Sequence, residues 1–370
     1  MKDCMRIAIL RNDDFSHRPP GLDRRSEDAV LGVAAAFQQA LSARGAAAAV
    51  EPVAHDPSSV AQRLAQERPD LVVNLCESLG GDPRGEMLVP GLLDLLGVPY
   101  TGSGPLTLAL ALHKHMAKDL LRARGVPTPD YRLVDRVGGW REVDLPFPLI
   151  VKPAREDASI GIDRRSLVHS ASALAEACER VLLQHAQPAL VESYIEGREL
   201  NVSLLGPSPA RVLPLAEIDF SQLAPDHPRI VTYACKWDES APEFHATPPV
   251  RCSLSMELGE RVSATALAAF EALECRDYAR VDMRLSRDGT PYVIEVNPNC
   301  DLSPGAGFAR AARAFGLEYE DLVWRLVEIA LDRDPDHPSS GASRQDASLA
   351  DARRDRRLSL RRGELRTRAG

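Results

Sequence analysis

The segment ARVDMRLSRDGTPYVIEVNPN, residues 279–299, constrains the chain more than any other stretch. Two runs of alternating apolar and polar residues flank Asp288-Gly289, the signature of a two-residue hairpin turn. A turn centred there pairs residues whose numbers sum to 577. Asp282 then faces Glu295 and Arg280 faces Asn297, all on one side of the sheet. Two directly opposed carboxylates repel. Either a divalent cation lies between them, or the face is solvated and its charges pair with arginines. Asp282, Glu295 and the Asn297 amide are hard oxygen donors suited to Mg2+ or Mn2+.

The hairpin belongs to a chain of 370 residues, more than one hydrophobic core usually serves. Upstream, strands expected at Arg6–Leu10, Ala46–Val53 and Asp70–Cys76 alternate with helices at Ser26–Ala43, Ser58–Glu67 and Glu86–Leu96. A short strand begins at Gly97–Tyr100. That alternation implies an open parallel α/β domain over 1–105. One long helix is expected over Leu106–Arg124, closed by Gly125 and Pro127. Strands at Pro148–Pro153, Ile160–Asp163 and Ala189–Ile195 then surround a helix at Ser170–Gln187. Strands at Glu199–Gly206 and Arg211–Phe220 precede a loop-rich 225–250 and a helix at Ser255–Leu273. The hairpin and helices near Gly307–Phe315 and Leu317–Leu331 complete an α+β region over 106–332. Residues 333–370 read as a disordered, Arg-rich tail.

Composition narrows the function. The net charge is −8, yet residues 344–370 carry nine Arg against four acids, which leaves −13 on the remainder and disfavours nucleic-acid binding by the body. No apolar run approaches a membrane span, no signal peptide is evident, and the seven cysteines include no C-x-x-C pair. A reducing cytoplasm is the default location. Only five of the 45 basic residues are lysine: 2, 114, 118, 152 and 236. A chain that otherwise writes arginine keeps lysine where a compact ammonium is wanted. Lys152 sits in an apolar strand interior, where a cation is costly unless it faces a site. Three cations from separate segments, with an oxygen-donor metal site, make a place for a nucleotide triphosphate. Neither G-x-x-x-x-G-K-[ST] nor an early G-x-G-x-x-G is present.

Taken in order, GVPYTGSG (97–104), Lys114, PLIVKPAREDASIGI (148–162), LVESYIEGRELNVSLLG (190–206), LPLAEI (213–218) and the hairpin resemble the ATP-grasp superfamily, in its D-alanine–D-alanine ligase branch. The resemblance spans roughly residues 70–332. It implies a three-part architecture: the α/β domain, a central lobe over 106–196 and a C-terminal lobe over 197–332. It also implies roles. Lys114, Lys152 and Lys236 would reach ATP phosphates, with Ser159 in the covering loop. Glu192 with Ser193, Tyr194 and Ile195 would contact adenine, and Glu199 the ribose. Asp282, Glu295 and Asn297 would hold Mg2+ or Mn2+, and Arg280 with Lys236 would act in catalysis. Lys118, Glu196 and Glu217 read as surface or structural support, His113 and His115 as lying on different helix faces, and Cys300 as a packed thiol.

The amino-acid half departs from the family. No Glu-Val-Ser follows the first strand, Ala158 stands where the family has a serine, and Trp237 where it has a tyrosine. Asn299–Pro304 replaces the family's Gly-Met-Thr stretch, which makes Asp301 and Ser303, with Trp237, candidate substrate contacts. The reading is a carboxylate–amine ligase acting through an acyl phosphate on small molecules other than D-alanine. Alternatives are a true D-alanine–D-alanine ligase and a catalytically silent nucleotide-binding regulator. The sequence leaves a homodimer open. Truncation after Asp332 is expected to leave activity and melting temperature nearly unchanged, because the tail lacks apolar area. A loss of several degrees in a thermal melt would overturn that expectation.

Overall fold

Arg6–Asn12 is apolar on both faces, with Ile7, Ala8, Ile9 and Leu10 all buried, so it needs cover on each side. The computed structural model describes residues 4–13, 25–206 and 209–333, and the expected disordered tail lies outside them. Arg6–Asn12 is the centre of a parallel sheet, between Ala47–Val53 and Leu71–Asn74. The strand expected at 97–100 is a single parallel bridge from Tyr100 to Val72. Helices Ser58–Glu67 and Leu88–Leu96 cover one face. Helix Arg25–Ala43 covers the other, together with Gly307–Ala314 and Tyr319–Asp332 from the far end of the chain. Among the described residues no helix is long and apolar enough to cross a membrane.

A second sheet is antiparallel, in the order Tyr131–Val134, Ala189–Ser193, Leu149–Pro153, Leu167–Val168. Its apolar face packs on helix Ala171–Gln184, whose N-terminus is capped by Ser170. The sequence gives no warning of Tyr131–Val134, an edge strand of four residues, two of them exposed. Ile160–Asp163 is a turn, not a strand. Ala158 and Ser159 adopt left-handed backbone (φ 54° and 61°), and Ile160 and Ile162 donate back to Asp157 and Ser159. Gly161 (φ 78°) finishes it, where a Cβ would lie 2.5 Å from Pro153.

The third sheet centres on Gly197–Leu205 paired with Tyr278–Ser286. Pro291–Asn297 flanks one side, and Arg211–Val212, Ala216–Ile218 and Pro249–Arg251 lie on the other. Arg211–Phe220 is therefore two short strands, and the loop-rich region contains helices Tyr233–Trp237 and Pro242–Ala246. Leu200, Val202, Leu204, Val281, Met283 and Leu285 turn one face onto helix Met256–Ala272.

The hairpin turn differs from expectation. Ser286 N–H donates to Thr290 O, so the loop has three residues, Arg287–Gly289, with Gly289 left-handed. Partners near the turn therefore sum to 576, as in Met283 with Val293. A bulge at Ile294 then adds one residue, and Asp282 still meets Glu295 and Arg280 still meets Asn297.

The expected long helix is two, Pro105–Leu112 and Lys114–Ala123, broken at His113 (φ −83°, ψ 78°). No Gly or Pro marks the break. Lys114 N–H leaves the helical ladder and donates to Ala154 O at 3.2 Å, a tertiary bond that periodicity does not reveal. His113 and His115 accordingly do not share a helix, and their rings meet edge to face at 6.1 Å.

The apolar face of the third sheet carries its stability. Met283→Ala, at a side chain with no exposed surface, is expected to cost about 2–5 kcal/mol in urea denaturation. A loss below about 1 kcal/mol would place the core elsewhere.

Candidate active site: a charged cleft between two antiparallel sheets

Opposite that apolar face, period two puts Glu199, Asn201, Ser203, Arg280, Asp282 and Arg284 on one surface of paired strands. The bulge adds Glu295 and Asn297 to it. Across from them, Ile150, Lys152 and Glu192 share the non-core face of the second sheet. The cleft between, open to solvent on one side, spans about 820 Å3. Lys114, Lys152, Ser159, Glu192, Ser193, Tyr194, Ile195, Glu199, Lys236, Asp282 and Glu295 all line it. Arg280 and Asn297 stand behind this lining, bound to Asp282.

Each acid in the cleft is met by specific donors. Arg280 grips Asp282 with two nitrogens at 2.7 and 2.8 Å, and Asn201 and Asn297 donate to the same carboxylate at 2.7 and 3.1 Å. Burial would lower the Arg280 pKa, but the Asp282 charge outweighs it and holds the guanidinium above its usual range. Lys114, 5% exposed along its side chain, bonds Asp157 at 2.9 Å and forms a close ion pair with Glu295. Burial disfavours both charges of that pair, yet each holds its partner ionised, Lys114 above its usual pKa and Glu295 below. The charge-to-arginine pairing left open by the sequence is thus realised at Asp282.

A metal would meet a suitable donor set here. Asp282 and Glu295 supply carboxylates, Glu295 Oε1 being the atom paired with Lys114, and Asn297 commits its amide nitrogen to Asp282 and Arg280 O. No group of three or more His, Cys, Asp and Glu gathers among the described residues, so a cation here would need further oxygen ligands.

Lys118, read from sequence as surface or structural, is 1% exposed and central. Glu192 lies between Lys118 at 3.2 Å and Lys152 at 3.0 Å, and Lys118 also donates to Thr128 at 2.8 Å. Burial raises the Glu192 pKa, but the two lysines outweigh it and bring the carboxyl below its ordinary range. Burial, with Lys152 opposing, pushes Lys118 down to about 8 despite Glu192. Arg284 was missed altogether, one arginine among 40. Its guanidinium donates to Ile195 O, Tyr194 OH, Glu199 and Arg229 O, all at 2.8–3.0 Å, and stacks over Tyr194. Lys236 carries no ion pair among the described residues, and burial lowers its pKa.

Trp237, Asp301 and Ser303 do not line the cleft. Trp237 donates from its indole to Ala158 O at 3.0 Å, pinning helix Tyr233–Trp237 to the turn of the second sheet. Asp301 accepts from Ser303 N–H at 2.8 Å, a local turn. Burial pushes Cys300 up to about 12, in keeping with a packed thiol.

Residues 120–328 match the family described as D-ala D-ala ligase C-terminus. The chain belongs to the D-alanine–D-alanine ligase family. A D-alanine–D-alanine ligase of Pelotomaculum thermopropionicum is 32% identical over 283 residues, 74% of this chain and 84% of that one. An uncharacterized protein of Sinorhizobium fredii is 38% identical over 262 residues, 70% of this chain and 74% of that one. The crystal structure of D-alanine–D-alanine ligase from Bacillus anthracis complexed with ATP matches with a TM-score of 0.68 at 25% identity, covering 89% of this chain and 97% of that one. The fold is therefore ATP-grasp, and the chain is an ATP-dependent ligase that forms C–N bonds.

The Lys118 environment sets a pH dependence. Its folded pKa of about 8 lies below the ordinary lysine value. Between the two, the unfolded chain binds more protons, so this group's contribution to stability rises with pH. Lys118→Met should cost of order 1–3 kcal/mol, since Lys152 still faces Glu192. The gap to the parent protein in urea denaturation should widen from about pH 7.5 to about pH 9.5. A flat or narrowing gap would contradict the lowered Lys118 pKa.

Proposed function

We propose that this ligase activates a small carboxylate as an acyl phosphate and joins it to an amine, with substrates other than D-alanine. The observation that carries the reading is the convergence of Lys114, Lys152 and Lys236 with Asp282 and Glu295 on one cleft. A carboxylate oxygen attacks the γ-phosphorus of ATP, and the bond to the β-phosphate oxygen breaks, giving acyl phosphate and ADP. The amine then attacks the acyl carbon, loses a proton and expels phosphate.

The residues take the roles this chemistry needs. Lys114, Lys152 and Lys236 neutralise phosphate oxygens, Lys236 being the cleft lysine without a carboxylate of its own. Glu192 and the 193–195 strap face the adenine, Glu199 the ribose, and Arg284 fixes strap and ribose carboxylate together. Asp282, Glu295 and Asn297 would hold Mg2+ or Mn2+, which when bound supplies charge neutralisation at the phosphates. Arg280 locks Asp282 in place and faces Lys236 as charge builds on the transferred group. The 154–162 turn and helix Tyr233–Trp237 exclude water from the acyl phosphate.

The departure from D-alanine rests on the cover. At Ala158 and Trp237, two positions where the family has hydroxyls, the contact is an indole bonded to a backbone carbonyl. A site lacking polar partners discriminates against the substrate they served, at about 1–3 kcal/mol each. Purified protein with Mg2+ and ATP should therefore make D-alanyl-D-alanine poorly. ADP release should depend on another carboxylate and amine drawn from a panel, with product mass confirming the amide. Efficient D-alanyl-D-alanine synthesis would overturn the substrate assignment. ADP release indifferent to every carboxylate would overturn the ligation itself.

A further inference from the structure

One guanidinium joins the ribose carboxylate to the segment that carries the cover. Arg284 leaves strand Tyr278–Ser286 with a side chain only 4% exposed. Four of its N–H groups find acceptors within 3.0 Å: Nε on Ile195 O, Nη2 on Tyr194 OH, and Nη1 on both Glu199 and Arg229 O. The same nitrogen therefore serves the carboxylate and the backbone that leads into the cover. Tyr194 OH donates to Arg229 O as well, at 3.1 Å. With so little surface exposed, a bond that Arg284 gives up is not readily replaced by one to water.

Beyond Arg229 the chain enters the cover. Ile230 and Thr232 are buried, and Thr232 caps helix Tyr233–Trp237, whose Lys236 lines the cleft. That helix is fastened to the turn of the second sheet by Tyr233 N–H on Ile162 O and the Trp237 indole on Ala158 O. On the third sheet its approach is held at Arg229 O. Glu199 meanwhile keeps an open acceptor: Oε2 takes Arg284, and Oε1 meets no donor among the described residues. A guanidinium is planar and rigid, so restraint at one of its acceptors restrains the others.

We propose that Arg284 is a positioning residue: a ribose hydroxyl on Glu199 fixes the guanidinium, which through Arg229 O fixes the helix that carries Lys236. The proposal rests on the ligase reading, in which Glu199 takes the ribose and Lys236 the phosphates. A ribose diol donating to Glu199 completes a set of hydrogen bonds in a nearly dry site, where each bond strengthens its neighbours. Opening of 229–237 must then break that set, so Lys236 stays over the phosphates while the acyl phosphate forms. A nucleotide without the diol still meets the strap and the lysines but leaves the cover as loose as before. The sugar is thereby read at the phosphate end, as order in the cover and not only as affinity.

Hydrogen–deuterium exchange over 229–237 tests this without knowledge of the carboxylate or the amine. The probes are ATP and 2′,3′-dideoxy-ATP with Mg2+, each held at saturation by its calorimetric Kd. In the parent protein ATP should slow exchange there roughly tenfold more than 2′,3′-dideoxy-ATP does. In Arg284→Met with ATP bound, the two nucleotides should agree within about twofold. Arg284→Lys should not restore the difference, because one ammonium cannot span four acceptors. Tyr194→Phe removes one bond to Arg229 O, keeps the ring, and should shrink the difference. A difference that persists in Arg284→Met, or is absent from the parent, overturns the coupling and leaves the ligase reading standing. Where Arg284→Met fails to fold or to bind ATP, Tyr194→Phe decides, and an undiminished difference there overturns the coupling. A parent protein that binds no ATP overturns the ligase reading and the coupling with it.

Discussion

One extra residue in a hairpin decides which way the charges of this protein face. Side chains alternate across a strand, so a register shift of one sends every side chain to the other surface. The three-residue turn at Arg287–Gly289 pairs Met283 with Val293, and continued unchanged it would set Ile294 against Asp282. Glu295 and Asn297 would then point into the core beside Val262 and Ala266. The bulge at Ile294 reverses this, at the cost of a local ladder irregularity. The apolar face stays whole against helix Met256–Ala272, while carboxylates, amides and guanidinium groups collect opposite it.

A surface so charged survives burial only because its groups are tied to one another. Arg280 with Asp282, Lys114 with Asp157 and Glu295, Lys118 and Lys152 with Glu192, and Arg284 with Glu199 form four compensated sets. Such networks add little to net stability, because desolvation consumes most of the Coulomb gain. Their contribution is to fix where each charge stands before a polyanionic ligand arrives, so that little reorganisation is needed then. Lys236, which lacks such a pair among the described residues, sits on a short helix held on the turn by the Trp237 indole and by Tyr233 N–H donating to Ile162 O.

Legibility in the sequence followed the range of the interactions involved. The parallel strands, the capped helices at Ser170 and Ser255 and the alternating hairpin rest on local pattern, and local pattern shows them. The facing of Asp282 and Glu295 was also legible, but by two errors that cancelled: a turn too short by one residue and an unseen bulge. The break at His113, the left-handed Ala158 and Ser159 and the edge strand Tyr131–Val134 are imposed by partners far along the chain. At the site, scarcity exposed Lys114, Lys152 and Lys236. It offered no help with Arg284 in an arginine-rich chain, and Lys118 was discounted because a helix position alone does not reveal burial. Asp301 and Ser303 came in through the resemblance, as part of the stretch in place of the family's Gly-Met-Thr, and their loop closes on itself outside the cleft lining.

The cover and the floor of the cleft are chemically coupled. Arg284 on the floor donates to Arg229 O, in the segment leading into helix Tyr233–Trp237, and to Ile195 O and Tyr194 OH. Trp237 at the other end of that helix donates to Ala158 O, in the turn whose Asp157 bonds Lys114. These bonds, joined by the short main-chain stretches 229–233 and 157–158, run from residues 193–195 through helix Tyr233–Trp237 to Lys114. The links are an arginine, backbone carbonyls, the Tyr194 hydroxyl, an indole and the Lys114–Asp157 ion pair, all of them the protein's own. The two walls of the cleft are thus tied together by the protein's own groups before any ligand arrives, so a bound substrate need not supply that tie.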